Sequence, residues 1–235
     1  MSEIKNLINY LSELITKERF ELYNKILENR TNYLTVALED IYQAHNASAV
    51  LRTCDCFGVQ DVHVIENRNV YDVNPEVALG SYKWVNIIKH NELEENTIAT
   101  INFLKNKGYR IVATTPHTND IELHDFDLSK GKAAFFFGTE LNGLTPTMLK
   151  HADEFLKIPM YGFTESFNVS VSASVILHYL TTKLRNSDIN WQLSKDDRDR
   201  TMLKWLKNSI KKFDRISDDF ISKNGGDYPS IIPKL

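Results

Sequence analysis

The stretch KIPMYGFTESFNVSVSASVIL, Lys157 to Leu177, decides how the fold of this chain is interpreted. Around its start, Phe155–Ile158 is rich in β-prone and apolar side chains and predicts a strand. A polar loop follows Gly162, and from Asn168 onward small and apolar residues predict a long helix. Open α/β sheets place their ligands where strands end in such loops.

Strands and helices alternate on the N-terminal side of this stretch, which indicates a parallel sheet with crossover helices. The predicted strands are Leu34–Leu38, Val62–Ile65, Val85–Ile88, Arg110–Thr114 and Ala133–Phe137. The predicted helices are Ala47–Phe57, Thr97–Lys107 and one that follows Pro146. Gly58 and Gly108 end the first two, because glycine readily adopts the left-handed conformation that closes a helix.

Amphipathic segments flank this alternating region. Apolar residues recur at helical spacing from Ile4 to Glu28 and predict one or two helices, and a further helix is predicted at Asp196–Lys212. A tail containing Gly225, Gly226 and two prolines follows. We therefore expect a helical extension over residues 1–32, an α/β core over 33–185, and a C-terminal helical extension and tail over 186–235.

Composition limits the classes of function. The net charge of −3 gives no whole-chain electrostatic reason to bind nucleic acid, so an RNA surface must come from local clusters. One such cluster is Lys183–Arg215, which holds ten basic and five acidic residues. No apolar run approaches the roughly 18 residues of a membrane span, and charges interrupt the N-terminus too often for a signal peptide. We expect a soluble, cytoplasmic protein without a membrane attachment.

The only two cysteines are Cys54 and Cys56. Residues two apart on a helix point away from each other, so this pair suits neither a disulfide nor a metal clamp, and four-ligand zinc spacing is absent. We expect two buried packing thiols and no metal site.

The first segment that could carry chemistry is ALEDIYQAHNASAVLRTCDCFGV, Ala37 to Val59. Asn46 is expected just before a helix, where its side chain can cap free N–H groups. Arg52 is either an arginine whose stem packs along apolar surface or a fixed cation in a cleft, suited to a phosphate or a developing oxyanion. His45 could contact a phosphate or lie on the surface.

The second segment is FFFGTELNGLTP, in which an apolar strand ends in a glycine-rich turn, Gly138 to Gly143. Leu144-Thr145 stands where a P-loop requires Lys-Ser/Thr, and the chain has no G-x-G-x-x-G, so nucleotide binding of either type is disfavoured. The turn either simply exposes Glu140 or offers its backbone to a small cofactor. In the third segment, the opening stretch, Ser166 and Asn168 are ordinary residues for a helix start.

Together these segments resemble the three motifs of the SpoU branch of the SPOUT superfamily, and within it the bacterial enzymes that methylate the 2′-hydroxyl of guanosine 18 in tRNA. The resemblance covers nearly the whole chain. It rests on HNASAVLRTCDCFGV, on GSYKWV (Gly80–Val85) between the motifs, on FFGTELNG, and on the opening stretch.

The resemblance implies a SPOUT-type α/β fold, with a mostly parallel sheet, a C-terminal trefoil knot, and helical extensions at both ends. It implies S-adenosylmethionine as the cofactor, bound in the knotted loops, and tRNA as the substrate. It also implies a homodimer with the long helix after the third motif at its interface, and an acceptor site built partly by both subunits.

Site residues carried over from the resemblance fall into three groups. The catalytic group is Arg52, Asn46, Glu140, Ser166 and Asn168. The cofactor-binding group is Thr114, Thr115, Gly138, Ile158, Met160 and Phe167. The RNA-binding group is His45, Lys17, Arg19, Lys183, Arg185, Arg198 and Arg200.

The sequence leaves two alternatives, one for the role of Arg52 and one for the substrate. Arg52 is the proposed general base of the family, but a guanidinium with a pKa above about 12 is a reluctant base, so it could instead stabilise the developing alkoxide. Leu141-Asn142 also replaces a Lys-Trp pair common among close relatives, and the N-terminus is less rich in arginine than expected. The alternatives are therefore methylation of ribosomal RNA or another tRNA nucleoside, or a non-catalytic RNA-binding module of the same fold.

Overall fold

The computed structural model describes residues 3–116 and 121–224, apart from the side chain of Glu3. The chain divides into two compact units. The larger comprises residues 31–191, and the smaller combines residues 1–30 with 192–235. Residues 31–32 and 186–191, which we predicted to belong to the two extensions, fall in the larger unit. The predicted tail beyond residue 224 lies outside the described residues.

Regular elements alternate along the larger unit as the sequence predicts. The strands are β1 Leu34–Glu39, β2 Asp61–Ile65, β3 Asn86–His90, β4 Arg110–Thr114, β5 Ile121–Glu122, β6 Ala133–Phe137 and β7 Glu154–Lys157. The α-helices within the described residues are α1 Glu3–Ser12, α2 Lys17–Leu27, α3 Ala44–Phe57, α4 Pro75–Ala78, α5 Asn96–Asn106, α6 Pro146–His151, α7 Val169–Arg185, α8 Lys195–Ser209 and α9 Phe213–Asn224.

The described strands form one sheet in the order β3-β2-β1-β6-β4-β7-β5, and all their pairings are parallel. This confirms the predicted α/β class. Every residue of β1 and of β6 is buried, as expected where helices cover both faces of a parallel sheet. Burial of each phenylalanine in Phe135–Phe137 contributes about 2–3 kcal/mol of hydrophobic free energy. Because the strands are parallel, their carboxyl ends meet at one edge.

Helix α7 packs against α3 on one face of this sheet. Ala173 and Ile176 of α7 share the buried core with Val50 and Leu51 of α3. Small side chains on the early turns let the two backbones approach closely, and the hydroxyls of Thr53 and Ser174 lie 3.0 Å apart. The third predicted segment is thus held against the first.

Several local predictions were wrong. Helix α3 begins at Ala44 with Gln43 as its N-cap, so Asn46 lies inside the helix rather than before it. Helix α8 ends at Ser209 instead of continuing to residue 212, because Lys212 adopts a left-handed φ of 60° and a new helix starts at the following residue. The amphipathic pattern runs through this break and conceals it.

The two cysteines differ from each other. Cys54 is buried as predicted, whereas Cys56 is exposed, because its position on α3 faces away from the core. The prediction of two buried thiols was therefore wrong for Cys56. Neither thiol forms a disulfide within the described part of the chain.

The smaller unit has a core of its own, built by α1, α2, α8 and α9. Trp205 of α8 is 1% exposed and meets the ring of Tyr23 edge-on at 5.5 Å between ring centroids. Arg30 lies over the same indole at 5.3 Å. Tyr10 and Phe220 stack at 4.7 Å, which joins α1 to α9. None of the helices described in either unit is long and apolar enough to cross a bilayer.

Candidate active site

A pocket opens at the carboxyl ends of β4, β6 and β7. Three segments form it: the exit of β4, the glycine-rich turn after β6, and the chain from the end of β7 into α7. Its lining residues are Thr114, Thr115, Pro116, Phe137, Gly138, Thr139, Glu140, Leu141, Asn142, Gly143, Leu156, Ile158, Met160, Glu165, Ser166, Phe167, Val169, Ser172 and Ile176. All six residues of the predicted cofactor-binding group line this pocket, together with Glu140 and Ser166 of the catalytic group.

The glycine-rich turn is closed on itself. Thr139 and Gly143 exchange two backbone hydrogen bonds of 3.0 Å, and Gly143 has a φ of +67°, a conformation that favours glycine. A Cβ on Gly138 would lie 2.1 Å from the carbonyl carbon of Gly143. Only glycine therefore fits at residue 138, and the turn presents its backbone to the pocket.

A chain of hydrogen bonds joins the three predicted motifs beside this pocket. The side-chain amide of Asn46 donates to Oε1 of Glu140 at 2.6 Å and to Oε1 of Gln43 at 3.1 Å. The amide of Asn168 donates to Oδ1 of Asn46 at 3.2 Å. Asn46 is only 4% exposed, so its side chain is fixed between its neighbours. Three of the five predicted catalytic residues therefore form one polar cluster.

Asn168 has a second role at the start of α7. It is the N-cap of the helix, and its Oδ1 accepts hydrogen bonds from the backbone N–H and the hydroxyl of Ser170, at 2.8 and 2.6 Å. The cap orients the side chain so that its amide faces Asn46. Both interpretations of this residue, as a helix cap and as part of a polar site, agree with its contacts.

Arg52 lies apart from this cluster. It is exposed on α3 and does not line the pocket. Six residues along a helix amount to a rise of about 9 Å and a turn of about 240°, so Arg52 and Asn46 occupy different faces of α3. Among the described residues no side chain forms a hydrogen bond or ion pair with Arg52. Glu140 is therefore bonded to Asn46 here, and not to Arg52.

The charge of the pocket restricts what it can hold. Two carboxylates, Glu140 and Glu165, line it, and no Lys, Arg or His is among the described residues of its wall. This arrangement disfavours phosphate-bearing cofactors and suits a ligand that carries positive charge. Ile158, Met160 and Phe167 add an apolar wall against which an aromatic ring can pack.

S-adenosylmethionine fits these features, because it combines an adenine ring with a sulfonium and an ammonium group. No cluster of three or more His, Cys, Asp or Glu that could hold a metal ion occurs within the described residues.

The predicted RNA-binding residues lie in both units. Lys17, Arg19, Arg198 and Arg200 belong to the smaller unit, on α2 and α8, and His45 is exposed on the first turn of α3. Lys17 forms an ion pair of 3.7 Å with Glu21 in which both side chains are largely exposed, so the pair adds little stability.

Lys183 and Arg185 of α7 are held by backbone carbonyls of the larger unit. Nζ of Lys183 donates to the carbonyl of Phe126 at 2.9 Å. Nη2 of Arg185 donates to the carbonyl of Phe57 at 2.7 Å, and the guanidinium lies over the ring of Trp191. Burial lowers the pKa of Arg185 from its usual value. These contacts give both cations a packing role.

Sequence reasoning missed several pocket residues. Glu165 and Ser172 line the pocket, and so does Ile176, which also packs in the core. Glu165 directly precedes Ser166 in a polar loop, so proximity in the sequence was an available signal. Ser172 and Ile176 lie one and two turns into α7, where helical spacing from Asn168 identifies the face that points back toward the strands.

Comparison with known proteins places the chain in a family. Residues 33–178 match the model of the SpoU rRNA Methylase family. A tRNA (guanosine(18)-2′-O)-methyltransferase of Borreliella burgdorferi is 42% identical over 90% of this chain and 94% of that protein.

Two solved structures are similar in fold. The A. aeolicus TrmH/SpoU tRNA modifying enzyme has a TM-score of 0.73 and 29% identity, over 83% of this chain and 98% of that one. The SpoU methyltransferase AviRb of Streptomyces viridochromogenes, solved with AdoMet, has a TM-score of 0.56 and 18% identity, over 69% of this chain and 62% of that one. At that identity the second shows the fold alone. The sequence match and the parallel sheet together establish that this chain belongs to the SpoU rRNA methylase family.

Proposed function

We propose that this protein transfers a methyl group from S-adenosylmethionine to the ribose 2′-hydroxyl of guanosine 18 in tRNA. The observation that carries the proposal is the Asn46–Glu140–Asn168 cluster at the side of an anionic, partly apolar pocket. The target nucleoside follows the name of the B. burgdorferi relative, whose similarity covers nearly the whole of both chains.

The cofactor would supply a methyl group on a sulfonium. Thr115 and Gly138 line the pocket at strand ends, where backbone groups would bind the polar parts of the ligand, and Phe167 and Ile158 would pack against its ring. Glu140 and Glu165 would balance its positive charge. Binding both reactants in one place would raise the rate by fixing the geometry of an in-line displacement.

The reaction forms a bond between the ribose oxygen and the methyl carbon and breaks the bond from that carbon to sulfur. The proton of the 2′-hydroxyl must leave, and the sulfonium becomes a neutral thioether. Asn168, held in place by its hydrogen bond to Asn46, would orient the ribose through the remaining N–H of its amide, and Ser166, which lines the pocket, would also contact the ribose. We assign to Arg52 the stabilisation of the developing alkoxide, with a phosphate or water receiving the proton.

Arg52 requires a second copy of the chain for this role. Since it is exposed and lies on a different face of α3 from Asn46, we propose that it acts in an acceptor site built by two subunits.

Mixing two inactive variants, Arg52→Ala and Ser166→Ala, tests this arrangement. If the two residues act from different subunits, random pairing restores one intact site in half of the dimers, or about a quarter of full activity. No recovery in the mixture would mean that both residues act within one chain.

The outer face of α7 supports a homodimer. Val171, Val175 and Tyr179 follow one another at intervals of four residues and are 43, 36 and 38% exposed. Such spacing forms an apolar stripe along one face of a helix. Val175→Asp should convert the dimer to a monomer in light-scattering chromatography, whereas Val70→Asp, at a residue 76% exposed outside α7, should not. Equal dimer content in the two variants would exclude this face as the interface.

We also propose that the C-terminal part of the core forms the trefoil knot implied by the family resemblance. The support is the sheet order, in which β7 lies between β4 and β5 although it follows both in sequence. This order would let the chain after β7 leave the sheet between earlier connections, as a knot requires. A crystal structure in which residues 157–169 pass outside those connections would exclude the knot.

The RNA surface that we propose uses the cations with no described role in packing. In the smaller unit Arg19, Arg198 and Arg200 would bind phosphates, and in the larger unit His45 on α3 would do so. Replacing any one of these three arginines with alanine should reduce the slope of log affinity for tRNA against log salt concentration by about one.

Methyl transfer to a defined hydroxyl is the direct test of the function. Purified protein is incubated with labelled S-adenosylmethionine and unmodified tRNA transcripts, and the methylated ribose is mapped by nuclease digestion and mass spectrometry. The matched control is the same transcript with 2′-deoxyguanosine at position 18, which lacks only the acceptor oxygen.

We expect one methyl group in the first transcript and none in the second. Methylation at another nucleoside would refute the target, and transfer to no transcript would favour the non-catalytic RNA-binding module.

A further inference from the structure

We propose that Glu39 is a positioning residue for the cofactor pocket: it holds the end of the glycine-rich turn in the conformation that binds S-adenosylmethionine. Glu39 is the last residue of β1 and does not line the pocket. This inference rests on the proposed function, because it takes the occupant of the pocket from it.

The carboxylate of Glu39 is buried, with 1% of the residue exposed. Its Oε2 accepts the backbone N–H of Thr145 at 2.9 Å, and its Oε1 accepts the hydroxyl of Thr145 at 2.8 Å. Oε1 also accepts the hydroxyl of Thr97 at 2.7 Å. Within residues 3–116 and 121–224 no Lys or Arg forms an ion pair with it. A buried carboxylate needs hydrogen-bond donors, and two of these three belong to Thr145.

Thr145 connects this carboxylate to the turn. It is the N-cap of α6, and its hydroxyl oxygen accepts the N–H of Met148 at 3.1 Å. The turn Gly138–Gly143 ends two residues earlier, and Leu144 between them is buried. The turn is therefore held at its start by pairing of β6 with β1 and β4, and at its end by the two bonds to Glu39.

All six residues of the turn line the pocket, and Glu140 within it accepts the amide of Asn46. Movement at Thr145 therefore shifts both the cofactor wall and the polar cluster. A buried residue needed only for packing would be apolar at this depth, since a carboxylate gains nothing from an apolar core. The two hydrogen bonds from Thr145 to Glu39 therefore indicate that Glu39 positions the turn.

The test is Glu39→Gln, which keeps the shape of the side chain but replaces one acceptor oxygen with an NH₂ group. The matched control is Thr97→Val, which removes a hydrogen bond to the same carboxylate on the side of α5, away from the pocket. Binding of S-adenosylmethionine is measured by calorimetry, and hydrogen exchange of the amides in residues 139–145 is measured without the cofactor. If Glu39→Gln does not fold, a second pair of variants replaces it. Thr145→Val removes the hydroxyl that donates to Glu39, and Thr145→Ser keeps it.

We expect Glu39→Gln and Thr145→Val to weaken cofactor binding by about tenfold and to speed exchange in the turn, since the first takes an acceptor oxygen from buried donors and the second takes a donor from the buried carboxylate. Thr97→Val and Thr145→Ser should bind within about twofold of the unaltered protein. Equal losses in Thr97→Val and Glu39→Gln would overturn the inference, as would unchanged exchange in the turn. If the unaltered protein does not bind S-adenosylmethionine, the proposed function fails, while the exchange measurement still decides the role of Glu39.

Discussion

Asn46→Asp is the substitution that tests the polar cluster most sharply. It keeps the shape of the side chain but places a carboxylate where an amide now donates to Glu140 at 2.6 Å. Two unit charges at that distance repel by about 1.6 kcal/mol at the dielectric constant of water and by about 6 kcal/mol at an effective value of 20. Glu140 is exposed whereas Asn46 is 4% exposed, so we expect a loss near the lower limit, about 2 kcal/mol at pH 8.

The loss should depend on pH. The neighbouring carboxylate raises the pKa of the new carboxyl in the folded protein above its unfolded value of about 4. A group of this kind contributes stability that is present at low pH and is lost as the pH rises through the folded pKa. Asn46→Asp should therefore be closer in stability to the unaltered protein at pH 5 than at pH 8.

Urea unfolding at both pH values measures the effect, and a second substitution provides the control. Adding Glu140→Gln to Asn46→Asp restores a donor and an acceptor with their positions exchanged, so most of the lost free energy should return. The reasoning is refuted if Asn46→Asp is as stable as the unaltered protein at pH 8, or if Glu140→Gln does not rescue it. Either result would mean that the first and second motifs are not in contact.

Four other substitutions test separate parts of the molecule. Gly138→Ala should weaken binding of S-adenosylmethionine by at least about a hundredfold in calorimetry and lower the melting temperature, because its Cβ would lie 2.1 Å from Gly143. Burial, with further contributions from His90 and Lys107, lowers the pKa of His63 to about 3, so stability present above pH 6.5 should fall as the pH drops below it. Between pH 7 and pH 5, the free energy of unfolding in urea should therefore fall by about 1–2 kcal/mol less in His63→Gln than in the unaltered protein. An equal fall in both proteins would contradict this account. Arg185→Ala should lower the free energy of unfolding by about 2 kcal/mol because the carbonyl of Phe57 loses its donor. Arg200→Ala should weaken tRNA binding in filter assays without a change in stability. Loss of stability in Arg200→Ala and loss of tRNA binding alone in Arg185→Ala would exchange the packing and RNA-binding roles of the two residues.

The parallel sheet could be predicted because its signals are local. Strands such as Ala133–Phe137 are continuous apolar runs, and Gly58 and Gly108 mark helix ends through their backbone freedom alone. The break at Lys212 could not be predicted in this way. A left-handed lysine is unfavourable by itself and is accepted only because packing of α8 and α9 determines the chain there.

The motif resemblance named six residues as cofactor contacts, and all six line one pocket; their binding of a cofactor stays a prediction. The contacts of Arg52 and Asn46 were not predicted. Spacing along the chain indicates which face of a helix a residue occupies, but only the packing of α3 against α7 decides what that face meets. This packing joins Asn46 to Asn168, the sheet brings Glu140 beside Asn46, and Arg52 stays exposed.

The sequence by itself determined the family, the order of strands and helices, and the stretch Lys157–Leu177 as a strand, a loop and a capped helix. These properties depend on local propensity, hydrophobic period and motif, which one chain segment carries alone. Only the tertiary structure decided that Asn46, Glu140 and Asn168 form one cluster and that Glu39 holds the turn beside it. Those contacts join residues about 90 to 120 positions apart, and their geometry depends on how the sheet brings its strand ends together.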